Sequence, residues 1–407
     1  MTARTTDAQM ITVEKALKIV ARETKTLKSE RISLCDSIGR VIAEDIIADS
    51  DMPPFNRSQM DGYAVRAVDT EKSRVMLRLV GESAAGRGWH KSLRSGEAVR
   101  IMTGAPVPNG ADAVQKIELT VECGDSVTIN EPTSTGRFIV PKGKEIKKGM
   151  VVLNTGSVVT ANNIAVPAAF GYAKVKVAKR PRVAILSTGS EIVDVSKRPK
   201  RDQIRNSNSL MLRALAEQAG AEATILPHVG DEISDLRSQI SHATRSVDVL
   251  ITTGGVSVGK YDLTKLALRE LGAEMLFERV RLKPGKPTVF AKLKKTAVFA
   301  LPGNPVSATV TFHLFVRSML LGMQRASCPT LKTGEAVALG NFKATPERDA
   351  YMPGKLGTDD SGRLTVVPID FHGSSDFIGF ASAVVLVRIK RGFRFTTGEV
   401  VPVLFLF

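Results

Sequence analysis

The chain has 407 residues, 43% of them apolar and 5% aromatic, with a formal net charge of +16. At about 150 residues per domain this predicts roughly three domains, with enough apolar content for ordinary globular cores without help from a membrane. A single tryptophan among so few aromatics leaves little for base stacking, so the charge is read as a field steering anionic small molecules, not as a specific nucleic-acid site.

No run reaches the ~18 apolar residues of a spanning helix, and the first residues lack the apolar segment of a signal peptide. A soluble, cytoplasmic protein with no membrane partner is expected. Cys35, Cys123 and Cys328 are odd in number and lack metal-ligand spacing, which argues against a disulfide framework or zinc site and predicts buried thiols.

Helical spacing over residues 13–20 opens the chain. Residues 50–145 carry short strands at 75–80, 98–102 and 113–117 with glycine and proline punctuation, predicting a small β-rich domain. A strand at 174–177 follows, and the outer pieces flanking this domain are expected to join in space. From 181 to about 322 strand and helix alternate: strands at 183–187, 223–229, 247–253 and 297–301, helices at 209–218, through Ile233, Leu236 and Ile240, at 263–271, and after Pro305. That alternation predicts a parallel sheet covered by helices on both faces. Strands return after about 328, clearest at 364–368 and 383–389. The predicted class is multidomain α/β plus β: a parallel-sheet α/β domain (178–327), a β-rich insertion (48–147), a C-terminal β-barrel-like domain (328–407), and an elongated linker domain of 1–47 with 148–177.

The most informative stretch lies between 250 and 307. Gly254, Gly255 and Gly259 follow an apolar run, so backbone N–H groups can crowd around an anion at a strand's carboxyl end. Asp262 adds a carboxylate suited to a hard cation such as Mg2+, although aspartate there also suits a helix N-cap. Lys283 and Lys286 bracket Gly285 with compact positive charge. Ligands of doubly covered parallel sheets bind beyond the strands' carboxyl ends, where Glu191, Asp231, Asp262 and Asn304 all fall. These loops describe a site for a phosphorylated or oxyanionic ligand. The cluster Lys197, Arg198, Lys200 and Arg201 is read as a solvated loop.

Together with Ser58-Gln59-Met60-Asp61-Gly62-Tyr63-Ala64-Val65, Ile101-Met102-Thr103-Gly104-Ala105-Pro106-Val107-Pro108, Ser187-Thr188-Gly189-Ser190-Glu191 and Asn206-Ser207-Asn208, the glycine loop resembles the molybdopterin molybdenumtransferase family. The likeness runs in motif order from about Thr12 to the C-terminus. It implies insertion of molybdate into adenylylated molybdopterin with Mg2+-dependent release of AMP. Catalytic roles are implied for Asp61, Thr103, Glu145, Glu191, Asp231 and Asp262, the metal resting on Asp262 and Glu191. Substrate contacts are implied for Gly254, Gly255, Ser257, Gly259, Lys283, Lys286, Pro302, Gly303, Asn304, Ser307, Arg348 and Ser374. The resemblance further implies a homodimer whose subunits share the site, and contact with a molybdopterin adenylyltransferase. Three positions depart from the family pattern: Lys142-Gly143-Lys144-Glu145 replaces Arg-Gly-Glu-Asp, Lys260 replaces an acidic residue, and Pro353 an arginine. A molybdopterin adenylyltransferase would share the 181–320 module but lack the domain carrying Met60-Asp61-Gly62-Tyr63-Ala64. A non-catalytic molybdopterin-binding or scaffolding paralogue is the other alternative.

Overall fold

The structure is a computed structural model that describes residues 10–72, 74–255, 263–370 and 373–406. Ser257, Gly259, Lys260 and Asp262 lie outside the described residues. The chain divides into a larger unit, Met1–Glu44 with Thr155–Thr160 and Lys174–Phe407, and a smaller one, Asp45–Asn154 with Ala161–Ala173.

In the larger unit, helix α1 (Val13–Glu23) starts where Thr12 accepts a hydrogen bond from the Lys15 N–H, and it buries Val13, Ala16 and Val20 along one face. Six strands form the central sheet: β1 (Arg182–Ser187), β2 (Glu222–Ile225), β3 (Val249–Thr253), β4 (Glu274–Phe277), β5 (Val289–Leu293) and β6 (Thr296–Leu301). Their spatial order is β2-β1-β3-β6-β5-β4. The first four run parallel as predicted, whereas β5 runs antiparallel to both its neighbours, β6 and β4. The reason is local. Only Lys294 and Lys295 separate β5 from β6, and Lys294 sits at φ 58°, so the connection is a hairpin with no room for a crossover helix.

Helices α2 (Ser207–Gln218), α3 (Ile233–Ala243), α4 (Leu263–Glu270), α5 (Pro305–Thr311) and α6 (Arg317–Met323) cover the sheet. Alternation along the strands decides which residue meets which layer. Val183, Ile185, Val249, Ile251 and Phe299 join a core with α1, α2, α5 and α6, while Ala184, Leu186, Leu250 and Val298 join one with α3 and α4. A π-helical turn, Phe312–Val316, links α5 to α6. The resulting 19-residue helix is long and apolar enough to cross a membrane by length and composition, but its most apolar window is 89% buried, which makes it a core helix of this unit. Phe299 stacks on Phe290 with centroids 4.5 Å apart, and Phe277 bridges Phe290 to Phe315 on the π turn.

Beyond the long helix, β7 (Thr333–Ala338), β8 (Asp349–Thr358), β9 (Leu364–Pro368), β10 (Val385–Ile389) and β11 (Val400–Phe405) close a barrel in the order β8-β9-β7-β11-β10 and back to β8. This is the barrel-like C-terminal domain expected from the sequence. Small and β-branched residues such as Ala336, Ala338, Val366, Val387 and Val403 fill it. Pro353 is buried in β8 opposite Leu386. The short helix α7 (Phe377–Phe380) lies between β9 and β10.

The smaller unit holds a six-stranded, mostly antiparallel sheet in which Gly62–Val65 lies between Ala113–Lys116 and Glu97–Ile101. Tyr63, Leu77, Ala98, Val127 and Ile129 pack on one side of it. Of the pieces flanking this domain, Ser29–Ser33 pairs with Lys174–Ala178 in the larger unit, and Ile46–Ile47 with Val151–Leu153 in the smaller.

The cysteines correct one expectation, since all three are free and exposed. Cys35 sits in a single 3-10 turn that buries Leu34 instead, Cys123 ends a strand at a glycine turn, and Cys328 follows the last turn of α6. Chain reversals set these positions, and the thiol's preference for burial does not override them.

Phe299→Ala should cost ~3–5 kcal/mol, because the ring is fully buried and its loss leaves a cavity between sheet and helix. Urea denaturation followed by far-UV circular dichroism checks this; an unchanged midpoint would contradict the packing described.

Candidate functional site

Beyond the carboxyl ends of β1, β3 and β6 lies a cavity of about 720 Å³, lined by Thr188, Glu191, Asn208, Gly254, Gly303 and Asn304 among others. The strand ends remain tied one residue past the sheet. The Thr188 N–H donates to Thr253 O at 3.0 Å, and the Gly254 N–H to Leu301 O at 3.4 Å. Gly254 adopts φ 95°, and a Cβ there would stand 2.4 Å from the Thr188 carbonyl oxygen. A Cβ on Gly303 would stand 3.5 Å from the Gly254 Cα, so bare backbone fills this junction.

Two asparagines fasten the start of α2 to it. Asn208 Nδ2 donates to Thr253 Oγ1 at 3.0 Å and to the Gly303 carbonyl at 2.7 Å. Asn206 Nδ2 donates to Ser187 Oγ at 2.9 Å, while its oxygen accepts from the Ser209 N–H and caps the helix. The buried Asn208 Oδ1, Thr188 Oγ1 and Thr264 Oγ1 have no partner among the described residues. Both threonine hydroxyls flank Gly255, at 3.0 and 2.8 Å from where its Cβ would be. Buried polar atoms left open beside a cavity are sites for ligand or water hydrogen bonds.

The carboxylates come from neighbouring loops. After Gly189, at φ 128°, the Glu191 side chain folds back so far that a Cβ on that glycine would meet Oε2 at 2.3 Å. Asp231 accepts from the Ser190 N–H at 3.1 Å, next to the bridge between Thr188 and Val229. Pro302 O accepts from Thr253 Oγ1. The segment before α7 also reaches the site: Asn304 Nδ2 donates to Ser374 Oγ at 2.7 Å, the Val306 N–H donates to Ser374 O, and Ser375 and Phe377 line the cavity. Ser307 is 5% exposed, inside the first turn of α5 and off the lining. The basic loop stands at the rim, where Pro199 and Arg205 line the cavity.

Lys283, Lys286 and Arg348 lie elsewhere on the larger unit. Leu282 lies opposite Asp349 in a short parallel pairing, which sets Lys283 beside the chain entering β8 from Arg348. The loop to Lys286 packs on α5, since a Cβ on Gly285 would meet Thr311 Cγ2 at 2.5 Å. None of the three lines the cavity.

In the smaller unit Thr103 donates twice to Asp61 Oδ1, from its N–H at 2.6 Å and its hydroxyl at 2.9 Å. Those bonds, the backbone one first, hold the Asp61 carboxyl below its ordinary range. Glu145 pairs with Arg57 at 3.1 Å, and the next residue, Ser58, donates its N–H to Ala105 O and lies opposite Ile139. The structure thus gathers Glu191, Gly254, Gly303 and Asn304 at the cavity and joins Asp61 to Thr103, while Lys283, Lys286, Ser307 and Arg348 lie off the cavity lining. Among the described residues no three His, Cys, Asp or Glu gather into a metal-binding group. The sequence reading singled out Asn206-Ser207-Asn208 only as a motif and overlooked Phe377. Contacts of Asn208 to positions 45 and 95 residues away, and a loop docking from the barrel, carry no local signal.

Residues 11–171 match the MoeA N-terminal region (domain I and II), residues 184–322 a probable molybdopterin binding domain, and residues 335–406 the MoeA C-terminal region (domain IV). The chain is 36% identical over 399 residues to a molybdopterin molybdenumtransferase of Staphylococcus aureus (strain COL), covering 97% of this chain and 95% of that one. It is 38% identical over 405 residues to one from Bacillus subtilis (strain 168), covering 97% and 94%. A crystal structure of the molybdopterin biosynthesis MoeA protein from Pyrococcus horikoshii OT3 superposes with a TM-score of 0.82 at 28% identity, over 98% of this chain and 100% of that chain. A second Pyrococcus structure of the same description gives 0.78 at 31% identity, with the same coverage.

Thr103→Val should move the Asp61 titration midpoint upward, toward the ordinary carboxylate range, because the hydroxyl bond to the ionised form is lost. A depressed folded-state pKa stabilises the fold above the unfolded value, and that contribution disappears as pH falls through the folded value. Carboxyl-carbon NMR titration of both proteins reads the shift, and identical midpoints would contradict the assignment.

Proposed function

Because the chain belongs to the molybdopterin molybdenumtransferase family, we propose that it inserts molybdate into adenylylated molybdopterin and releases AMP. The observation that carries this reading is the strand-end cavity, where glycine backbone, unpartnered hydroxyls and an amide oxygen meet the Glu191 carboxylate. A ligand with a phosphate linkage between two polar ring systems needs such mixed donors and acceptors. The basic rim loop and the side chains of Lys283, Lys286 and Arg348 supply attraction for an anionic substrate and for the molybdate dianion.

Mg2+ fits this donor set. Magnesium is held by one or two carboxylates plus substrate phosphates and water, and Glu191 offers an exposed carboxylate on the cavity wall. Glu191, with Asp262, would hold it. When bound, it would neutralise phosphate charge that a carboxylate alone would repel. The chain's own groups do the rest. Asn208 and Thr188 orient the substrate, Gly254 and Gly303 let it approach backbone, and Asp231 fixes the turn that carries Glu191. Asp61, Thr103 and Glu145 serve the same reaction from the smaller unit. The protein works in the cytoplasm as a homodimer and receives its substrate by contact with a molybdopterin adenylyltransferase.

Purified protein with adenylylated molybdopterin, molybdate and Mg2+ should release AMP, and chelation should stop it. Asp262→Asn should lower the rate roughly 100-fold while the protein stays folded, and Lys286→Gln should raise the half-saturating molybdate about tenfold. Tight substrate binding with no AMP release would instead support the non-catalytic scaffolding alternative.

Sedimentation equilibrium should return about twice the chain mass of 43.8 kDa. A single-chain mass at micromolar concentration would remove the homodimer.

A further inference from the structure

A second cavity, of about 420 Å³, shares Ser207, Pro305 and Phe377 with the polar one. Its chemistry is different. Met211, Leu215, Val306, Phe380 and Leu406 give it apolar walls. Phe377 stands where the two adjoin, and its residue is 50% exposed although a phenylalanine normally gains by burial. The segment presenting it is pinned, by Ser374 to Asn304 and Val306 and by Asp376, which accepts from the Gly379 N–H at 3.0 Å. An aromatic ring held in place at a cavity mouth costs little ordering when it stacks on a ligand.

His313 lines the same cavity, is 5% exposed, and leaves Nδ1 buried with no hydrogen-bond partner. Burial first, and the nearby Arg317 charge second, push its pKa down to about 4, so the imidazole is neutral near pH 7 and offers one donor and one acceptor. An apolar slot with an aromatic wall and a sparse polar edge suits a flat nitrogen heterocycle, whose faces stack while its rim hydrogen-bonds.

We propose that this apolar cavity is the subsite for a fused nitrogen heterocycle of the substrate, with Phe377 stacking on its face and His313 meeting its edge. The inference rests on the proposed function, in which the substrate carries a pterin at one end of a phosphate linkage and adenine at the other. The phosphates then lie in the polar cavity and one ring system in the apolar one.

Titration calorimetry on the full chain with Mg2+ tests this with three probes: AMP, a pterin bearing a phosphomonoester side chain, and ribose 5-phosphate. At least one heterocyclic probe should bind about tenfold tighter than ribose 5-phosphate, and the one that does identifies the occupant. Phe377→Ala should abolish most of that preference and leave ribose 5-phosphate unchanged; Phe377→Trp should restore it. The ring's exposure predicts an unaltered melting temperature for both variants. No heterocycle preference in the wild type, or a preference that survives Phe377→Ala, overturns the subsite. If the wild type releases AMP yet shows no preference, only the subsite falls. If the preference is present without AMP release, the functional reading falls and the subsite stands.

Discussion

Three neighbouring parallel strands leave the sheet at the same level, and the backbone after the middle one has to pass between the other two. At Gly254 the space left is smaller than a methyl group, with the Thr188 carbonyl on one side and Gly303 on the other. Most of what surrounds the cavity follows from this close approach. Side chains are excluded from the junction, so peptide groups face the cavity there, and the polar side chains that serve it must come from the next layer outward.

That layer is supplied by the N-terminal turn of α2, by the loops carrying Glu191 and Asp231, and by the segment before α7. Asn208 touches two of the strand exits with one amide, so the helix cannot shift without moving both. The Ser374 bonds couple the barrel to the start of α5 in the same way. The cavity is therefore held by short polar ties between elements distant in sequence, laid over a sheet whose rigidity comes from apolar burial on both faces.

How much of this could be read from the sequence depends on the range of the cause. The strands β1, β3 and β6 were legible because each is a short apolar run ending in glycine, proline or a small polar residue, the length and punctuation of a strand buried on both faces. The reversed direction of β5 was not, because two lysines in a hairpin turn look like any exposed loop. Asp61 and Thr103 were legible as parts of motifs, but their mutual hydrogen bonds span 42 residues and no local pattern encodes them. The cysteines misled because residue preference was weighed without knowing where the chain turns.

Helix α1 is made well before α6, yet its buried face packs against α6, and the Leu27 N–H just beyond it donates to Met323 O. The smaller unit lies between these two points in the sequence. During synthesis at roughly 5–20 residues per second, α1 therefore leaves the ribosome on the order of tens of seconds before the helix that covers it exists. An 11-residue helix is marginal alone in water, and Val13, Ala16 and Val20 stay uncovered for that interval. The nascent chain thus carries an uncovered apolar stripe on α1 while the intervening unit folds.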